Sequence, residues 1–315
     1  MMNVCVAGAG AFGQKHLQAI AAIQGVEVIS LVGGRNLDQV QALADQYGVG
    51  HATLSLDEAL ALPGLDAVIL CSPTPVHAAQ AMACLEAGKH VQVEIPMADN
   101  LADARALVAA QRRSGRVAMA GHTRRYNPGH QWIHQRIASG QLRLLHLDVQ
   151  TFFFRRTNIN LAGQPRSWTD HLLWHHACHT VDLFQYQTGQ IAAQVHAMQG
   201  PVHPELGIAL DMSVQMRSPD GALCSLTLSF NNQGLQGTFF RYICDNGTYI
   251  ARYDELLDGD GQPVDLSGVD VSLNGIELQD RDFFECIVSG REPRASVARV
   301  LPAYETLDRL EKTLA

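Results

Sequence analysis

Long apolar runs are missing from this 315-residue sequence: 47% of its residues are apolar, yet no stretch reaches the eighteen or so that a transmembrane helix needs. Paired cysteines are missing too. The seven cysteines (Cys5, Cys71, Cys84, Cys178, Cys224, Cys244, Cys286) are odd in number and scattered, with no CxxC pair. That argues against a disulfide framework or a structural zinc knuckle. Most sit in apolar runs and read as small buried hydrophobes. Charge is sparse: 17% of residues are charged, the net charge is −8, and no long basic block occurs. Nucleic acid and anionic membranes are therefore poor partners. An anionic small molecule stays in play, because a few local arginines dominate a site whatever the overall charge. The opening MMNVCVAGAG has no basic region before its apolar stretch. A signal peptide is therefore not expected, and the cytoplasm is the expected location.

Apolar runs alternate with helix-like segments over the first 120 residues, the pattern of an open parallel sheet. NVCVAGAG, VEVISLVGG, DAVILCSPTP and HVQVEIP read as strands. GQKHLQAIAAI, LDQVQALADQYG, PVHAAQAMACLEAGK and NLADARALVAAQRRSG read as helices, the last with an Asn N-cap and a Gly stop. RVAMAGHTRRYNP then leads out of the first domain. Beyond it the rhythm changes. LRLLHLDVQTFFF, AAQVHAMQ, ALDMSVQM, ALCSLTLSF and TFFRYICD read as strands joined by turns such as SPDG and DNG, and helix returns from about Asp280. Pro302 is expected to start or kink a helix there. The expected fold is α/β: a dinucleotide-binding domain over residues 1–120 and an α+β domain over 121–315 with an open, mostly antiparallel sheet. The C-terminal helices are free to pack back on the first domain.

GAGAFG (Gly8, Gly10, Ala11, Phe12, Gly13) sits between a strand and a helix. Its glycines permit a tight turn and close backbone approach, so the helix N-terminus can hold a pyrophosphate. The second strand ends in VGGRN, where Arg35 and Asn36 replace the carboxylate that would hold the ribose hydroxyls of NAD. A guanidinium pairs with a 2′-phosphate through charge-assisted bonds of about 1.5–3 kcal/mol each. NADP is the expected cofactor, with NAD accepted less well.

CSPTPVH (Cys71–His77) and GKHVQVEIP (Gly88–Pro96) resemble two signatures of the glucose–fructose oxidoreductase / inositol dehydrogenase family, and the resemblance covers essentially the whole chain. It implies that Ser72, Pro73, Thr74 and His77 line the cofactor, and that Glu94 and Pro96 shape the wall near the nicotinamide. It also implies assembly as a homodimer or homotetramer through the open sheet face. One departure matters. The family places a lysine between the glutamate and the proline to hydrogen-bond the reacting hydroxyl, and here that position is Ile95. The proton must leave by another route. A narrower match within the family, carried by VEIP, HTRRYNP and HLLWHHACHTVDLF, implies oxidation of a cyclic hemiacetal that bears two carboxylates.

HLLWHHACHTVDLF packs four histidines into nine positions. On a regular helix His171, His175 and His179 share one face, with His176 on its flank. His171 and His179 would then stand about 12 Å apart, too far for one metal with bonds of about 2 Å to reach all three. No metal site is assigned. The family pattern of an acid, a histidine four residues on and an aspartate three further maps onto His175, His179 and Asp182. It transfers the base to His179 and leaves His175 to bind the ring oxygen or hydroxyl. Asp182 either orients His179 or pairs locally. Cys178, a thiol that could attack an aldehyde, turns away from that face. Cations for the carboxylates come from HTRRYNP: on an extended stretch only one of Arg124 and Arg125 faces a ligand, and Arg124 is favoured, with His122, Tyr126 and Arg166 as weaker candidates. A sugar or cyclitol dehydrogenase and a non-catalytic NADP-bound sensor are the competing readings.

Overall fold

The computed structural model describes residues 1–159, 163, 165–166, 169–271 and 275–314. Strand–helix alternation opens the chain: β1 (Met2–Ala7), α1 (Ala11–Ile20), β2 (Val26–Val32), α2 (Leu37–Tyr47), β3 (His51–Thr53), α3 (Leu56–Leu60) and β4 (Ala67–Leu70). It continues through α4 (His77–Glu86), β5 (His90–Val93), α5 (Leu101–Ser114) and β6 (Ala118–Ala120). The strands pair in parallel in the order β3-β2-β1-β4-β5-β6. Helices cover both faces of such a sheet, so its central strands read as continuous apolar runs: Val4 to Val6 and Val68 to Leu70 have no exposed surface. Local chemistry sets the helix ends. Asn36 and Asn100 accept the N–H of Gln39 and Asp103 to cap α2 and α5, and Gly48 and Gly115 end them in the left-handed conformation.

The remaining elements are α6 (Pro128–Ala138), β7 (Leu144–Phe152), a π-helix (Leu172–Ala177), α7 (Cys178–Thr188), β8 (Gln194–Gln199), β9 (Asp211–Arg217) and β10 (Leu223–Ser229). After them come β11 (Gly237–Cys244), β12 (Gly247–Arg252), β13 (Glu255–Asp258), α8 (Ile276–Ser289) and α9 (Val297–Glu311). Seven strands form the second sheet, ordered β13-β12-β11-β7-β10-β9-β8, antiparallel except for the β7–β10 pair. Burial alternates along it: Met212, Val214 and Met216 are covered while Asp211, Gln215 and Arg217 face out.

The chain divides into two compact units: Met1–His122 with Ile276–Leu301 form the first, and Thr123–Gly275 with Pro302–Ala315 form the second. The first unit therefore includes a segment well beyond residue 120, with α8 packed on α1. Pro302 lies inside α9. No helix among the described residues is long and apolar enough to cross a membrane.

Candidate active site

In the first unit, β1 delivers the chain to Gly8, whose φ of +130° an L side chain rarely adopts. A Cβ there would lie 2.4 Å from the Cys71 carbonyl oxygen, and one on Gly13 would lie 1.7 Å from the Gly8 oxygen. Both glycines are needed for packing. Gly10 differs, because a Cβ there would meet nothing within 4 Å. Gly10 is also the N-cap of α1, with no capping side chain and no acid in the first turn. The unpaired N–H groups that open a helix thus stand beside open space, which suits a pyrophosphate. Ala11 and Phe12 start the helix, and Lys15 sits 4.8 Å from the centre of the exposed Phe12 ring.

At the end of β2, Asn36 is committed through its side-chain oxygen to capping α2. Arg35 is exposed, and no carboxylate pairs with it among the described residues. The turn after β4 carries Ser72, whose hydroxyl donates to Gln80 at 2.5 Å, then exposed Pro73 and buried Thr74. His77 ties this turn to the next: its Nε2 lies 2.7 Å from the Ser72 carbonyl and its Nδ1 2.8 Å from that of Pro96. Ile95, where the family lysine is absent, is 7% exposed.

Glu94 opens a buried network that sequence reasoning did not anticipate. Its Oε1 lies 3.1 Å from Nε2 of His16, and Nδ1 of His16 lies 2.9 Å from Asp280, which also accepts from Gln92 at 2.7 Å. Burial pushes the His16 imidazolium down, but Asp280 foremost among its neighbours outweighs it, and the ring's pKa ends well above the ordinary value. For Glu94 burial pushes up, and the bond to His16 more than offsets it, so its pKa is lowered. A raised histidine stabilises the fold fully below its unfolded pKa of about 6.5 and loses that contribution as pH climbs through the folded value. A lowered carboxylate does the reverse, losing its contribution as pH falls. Removing one partner strands buried charge, so Asp280→Ala should cost about 3–5 kcal/mol. A thermal melt of the variant checks this; an unchanged Tm rules the network out as a stabilising element. No local sequence signal pointed here, since His16 and Asp280 are 264 residues apart.

In the second unit the His-rich segment is not one regular helix. His171 is an N-cap: its Nδ1 accepts the N–H groups of Leu173 and Trp174 at 3.1 and 3.5 Å. The wide π-helix that follows runs to Ala177, and only from Cys178 is the helix of α type. The uniform 3.6-residue turn assumed for a shared face of His171, His175 and His179 is therefore interrupted. His171 has a capping role, and His179 stands in the first turn of α7. Cys178 is buried, and its thiol donates to the His175 carbonyl at 3.1 Å.

Arg125, not on an extended stretch but in a 3₁₀ turn (Thr123–Arg125), points inward. Its Nε and Nη2 donate to the two Asp182 oxygens at 2.8 and 2.6 Å, and it lies 4.6 Å over the Tyr186 ring. Asp182 thus pairs with a residue 57 positions away in sequence rather than locally. Tyr126 and His122 have no exposed surface, so neither is a solvated loop residue. Arg124 is the contrast. Its Nη1 donates to Asn127 at 3.3 Å, its guanidinium lies 5.6 Å from the Phe240 ring centre, and its buried Nε has no acceptor among the described residues. Burial lowers its pKa against modest help from Tyr253, Tyr242 and Asp254. No carboxylate ion-pairs with this cation among the described residues.

Arg166 donates to Asp170 at 3.0 Å, and Arg155, which was not singled out from sequence, donates to the same oxygen at 2.7 Å. Asp170 is 5% exposed, with its other oxygen 3.9 Å from Nε2 of His175. Burial lowers the pKa of His176 to about 3, helped by His175 and the two arginines, so its ring is neutral. One ligand atom from each of Asp170, His175 and His176 lies within 4.8 Å of the others. The two guanidiniums on Asp170 weigh against a cation at this position.

Known proteins share this organisation. A model of an oxidoreductase family with an NAD-binding Rossmann fold matches residues 2–122, and one of bacterial oxidoreductase C-terminal domains matches 128–270. The chain is 60% identical over 313 residues, 99% of each protein, to 4-carboxy-2-hydroxymuconate-6-semialdehyde dehydrogenase of a Sphingobium species. It is 25% identical over 229 residues to a Thermotoga maritima myo-inositol 2-dehydrogenase, covering 70% of this chain and 66% of the relative. Among solved structures, levoglucosan dehydrogenase in complex with NADH superposes with a TM-score of 0.87 at 20% identity, over 99% of this chain and 96% of the other. Aldose-aldose oxidoreductase from Caulobacter crescentus does so with a TM-score of 0.85 at 20% identity, over 99% and 97%.

Proposed function

The chain belongs to the glucose–fructose oxidoreductase / inositol dehydrogenase family, and from that premise we propose that it oxidises the cyclic hemiacetal of 4-carboxy-2-hydroxymuconate-6-semialdehyde to 2-pyrone-4,6-dicarboxylate, with NADP as hydride acceptor. The reaction belongs to the 4,5-cleavage breakdown of protocatechuate and other lignin-derived aromatics. The observation that carries the reading on this chain is Arg124, a half-buried guanidinium that ion-pairs with no carboxylate among the described residues. A buried charge is tolerated when a partner repays its desolvation, and a carboxylate of the substrate supplies that partner through two parallel bonds. The neutral polyol of an inositol dehydrogenase would not.

The hemiacetal carbon loses a hydride and its hydroxyl loses a proton. When bound, the nicotinamide supplies the hydride acceptor. The open side of Gly10 and the start of α1 hold the pyrophosphate, and Ser72, Pro73, Thr74, His77, Glu94 and Pro96 line the rest of the cofactor. Arg35 pairs with the 2′-phosphate. Because Ile95 cannot take part in proton transfer, His179 accepts the hydroxyl proton while His175 holds the ring oxygen or hydroxyl. Asp182, bonded to Arg125, fixes the first turns of α7 from which His179 projects. We place the enzyme in the cytoplasm as a homodimer or homotetramer. The outward face of the second sheet, where Leu145, Met198 and Leu223 are 37%, 60% and 45% exposed, supports assembly there.

Incubation with freshly generated semialdehyde tests the reading: the pyrone should accumulate one-for-one with NADPH. Arg35→Ala should raise the KM for NADP about 10–100-fold, the loss of one or two charge-assisted bonds, and leave that for NAD within threefold. An unchanged NADP/NAD ratio would remove Arg35 from the cofactor site.

A further inference from the structure

Two arginines in the second unit are matched to carboxylates in different ways. Arg125 meets Asp182 fork to fork, one charge against one. That is a balanced structural pair. Arg155 shares Asp170 with Arg166, and both guanidiniums donate to the same oxygen, Oδ2. Two cations against one anion leave a positive charge in surplus. His176, held neutral by burial and by these same cations, adds no further charge.

The surplus is also directional. Arg155 uses Nη2 on Asp170, while its Nη1 is buried with no acceptor among the described residues. Leaving a charged donor unsatisfied away from water costs more than leaving a neutral one. Its geometry is fixed from three sides. The Arg155 N–H donates to the Phe230 carbonyl at 2.9 Å, the guanidinium stacks 4.6 Å over the Phe230 ring, and Asp170 holds Nη2. A residue held once through its backbone and twice through its guanidinium, with one idle donor, is pre-organised to receive an anion.

We propose that Arg155 is a second carboxylate anchor, holding the substrate carboxylate that Arg124 does not. The proposal rests on the dicarboxylate reading above and deepens it: two carboxylates need two cationic contacts, and among the described residues the second unit holds three guanidiniums with an idle, buried donor, on Arg124, Arg155 and Arg252, of which Arg155 is the one whose carboxylate partner also lies beside His175. Asp170 then acts as the counter-ion that sets the angle of Arg155, and Arg166 offsets the charge of Asp170 so that it does not repel the ligand. The same arrangement selects against a divalent cation and against neutral polyols.

The test uses full-length enzyme saturated with NADP and three stable inhibitors: 2-pyrone-4,6-dicarboxylate and the two pyrones that each keep only one of its carboxylates. Arg155→Met should weaken the dicarboxylate and one monocarboxylate by more than tenfold and leave the other within threefold. Arg124→Met should give the opposite preference. Arg155→Lys, which keeps the charge but loses the fork, should give an intermediate loss on the same two ligands, and it keeps the test open if the methionine variant folds poorly. Equal loss on both monocarboxylates, or no loss, overturns the anchor. If wild-type enzyme neither oxidises the hemiacetal nor binds the dicarboxylate, the substrate reading falls and the anchor with it. Normal wild-type turnover with a flat Arg155 series removes the anchor alone.

Discussion

His179→Asn should lower kcat by about 10²–10⁴, the range a positioned general base contributes, with little change in KM. Asparagine keeps the size and one hydrogen-bonding edge of the ring but cannot accept the proton. The pH profile carries the sharper signature. A base must be deprotonated to work, so wild-type kcat rises with pH on its acid limb, and that limb should vanish in the variant. The prediction is large because Ile95 leaves no amine to share the task and Cys178 spends its thiol proton on the His175 carbonyl. Steady-state kinetics across pH check it. Near-normal turnover with an unchanged profile would assign the base elsewhere, with His175 the next residue to replace.

Arg124→Met should raise KM for the hemiacetal about 10–100-fold while kcat stays within threefold. The loss of one bidentate, charge-assisted contact sets the size of that effect. An interaction equally strong in ground and transition states moves KM and spares kcat. Stability should hold or improve, because the variant removes a half-buried cation that ion-pairs with no described carboxylate. Arg125→Met should behave oppositely. Stripping Asp182 of its fork leaves a carboxylate that is 1% exposed without that partner, and the protein should melt earlier. Paired kinetics and melting curves on the two variants separate ligand binding from structural pairing. An unchanged KM for Arg124→Met would take the residue out of the substrate site.

Local chemistry was legible in the sequence and long-range pairing was not. The glycines at Gly8, Gly10 and Gly13, the asparagine cap at Asn100 and the closing glycines Gly48 and Gly115 each act within a few residues, so their roles could be read directly. The mostly antiparallel second sheet followed from runs of strands with few helices between them. Short elements such as β3 and α3 are three and five residues long and carry no periodicity to detect. α6 was also missed, because Pro128 looked like the end of a loop when it is the first residue of a helix.

The histidine segment shows the limit most clearly. Residue types and spacing marked it as the centre of the chemistry, but the π-helix behind the His171 cap rearranged the faces. A hydrogen-bond register of that kind has no signature in composition. Arg124 and Arg125 are neighbours with the same side chain, and only tertiary structure shows that one has Asp182 and the other has no carboxylate. Arg155 with Asp170, and His16 with Asp280, depend on contacts between segments that local pattern cannot join.

The most direct test of the central claim follows NADPH absorbance with purified enzyme, freshly generated 4-carboxy-2-hydroxymuconate-6-semialdehyde and NADP⁺, with NAD⁺ and myo-inositol as controls. The account predicts rapid NADPH formation from the semialdehyde, slower reduction of NAD⁺, and none from myo-inositol. Tight NADP binding without turnover of the semialdehyde would contradict it.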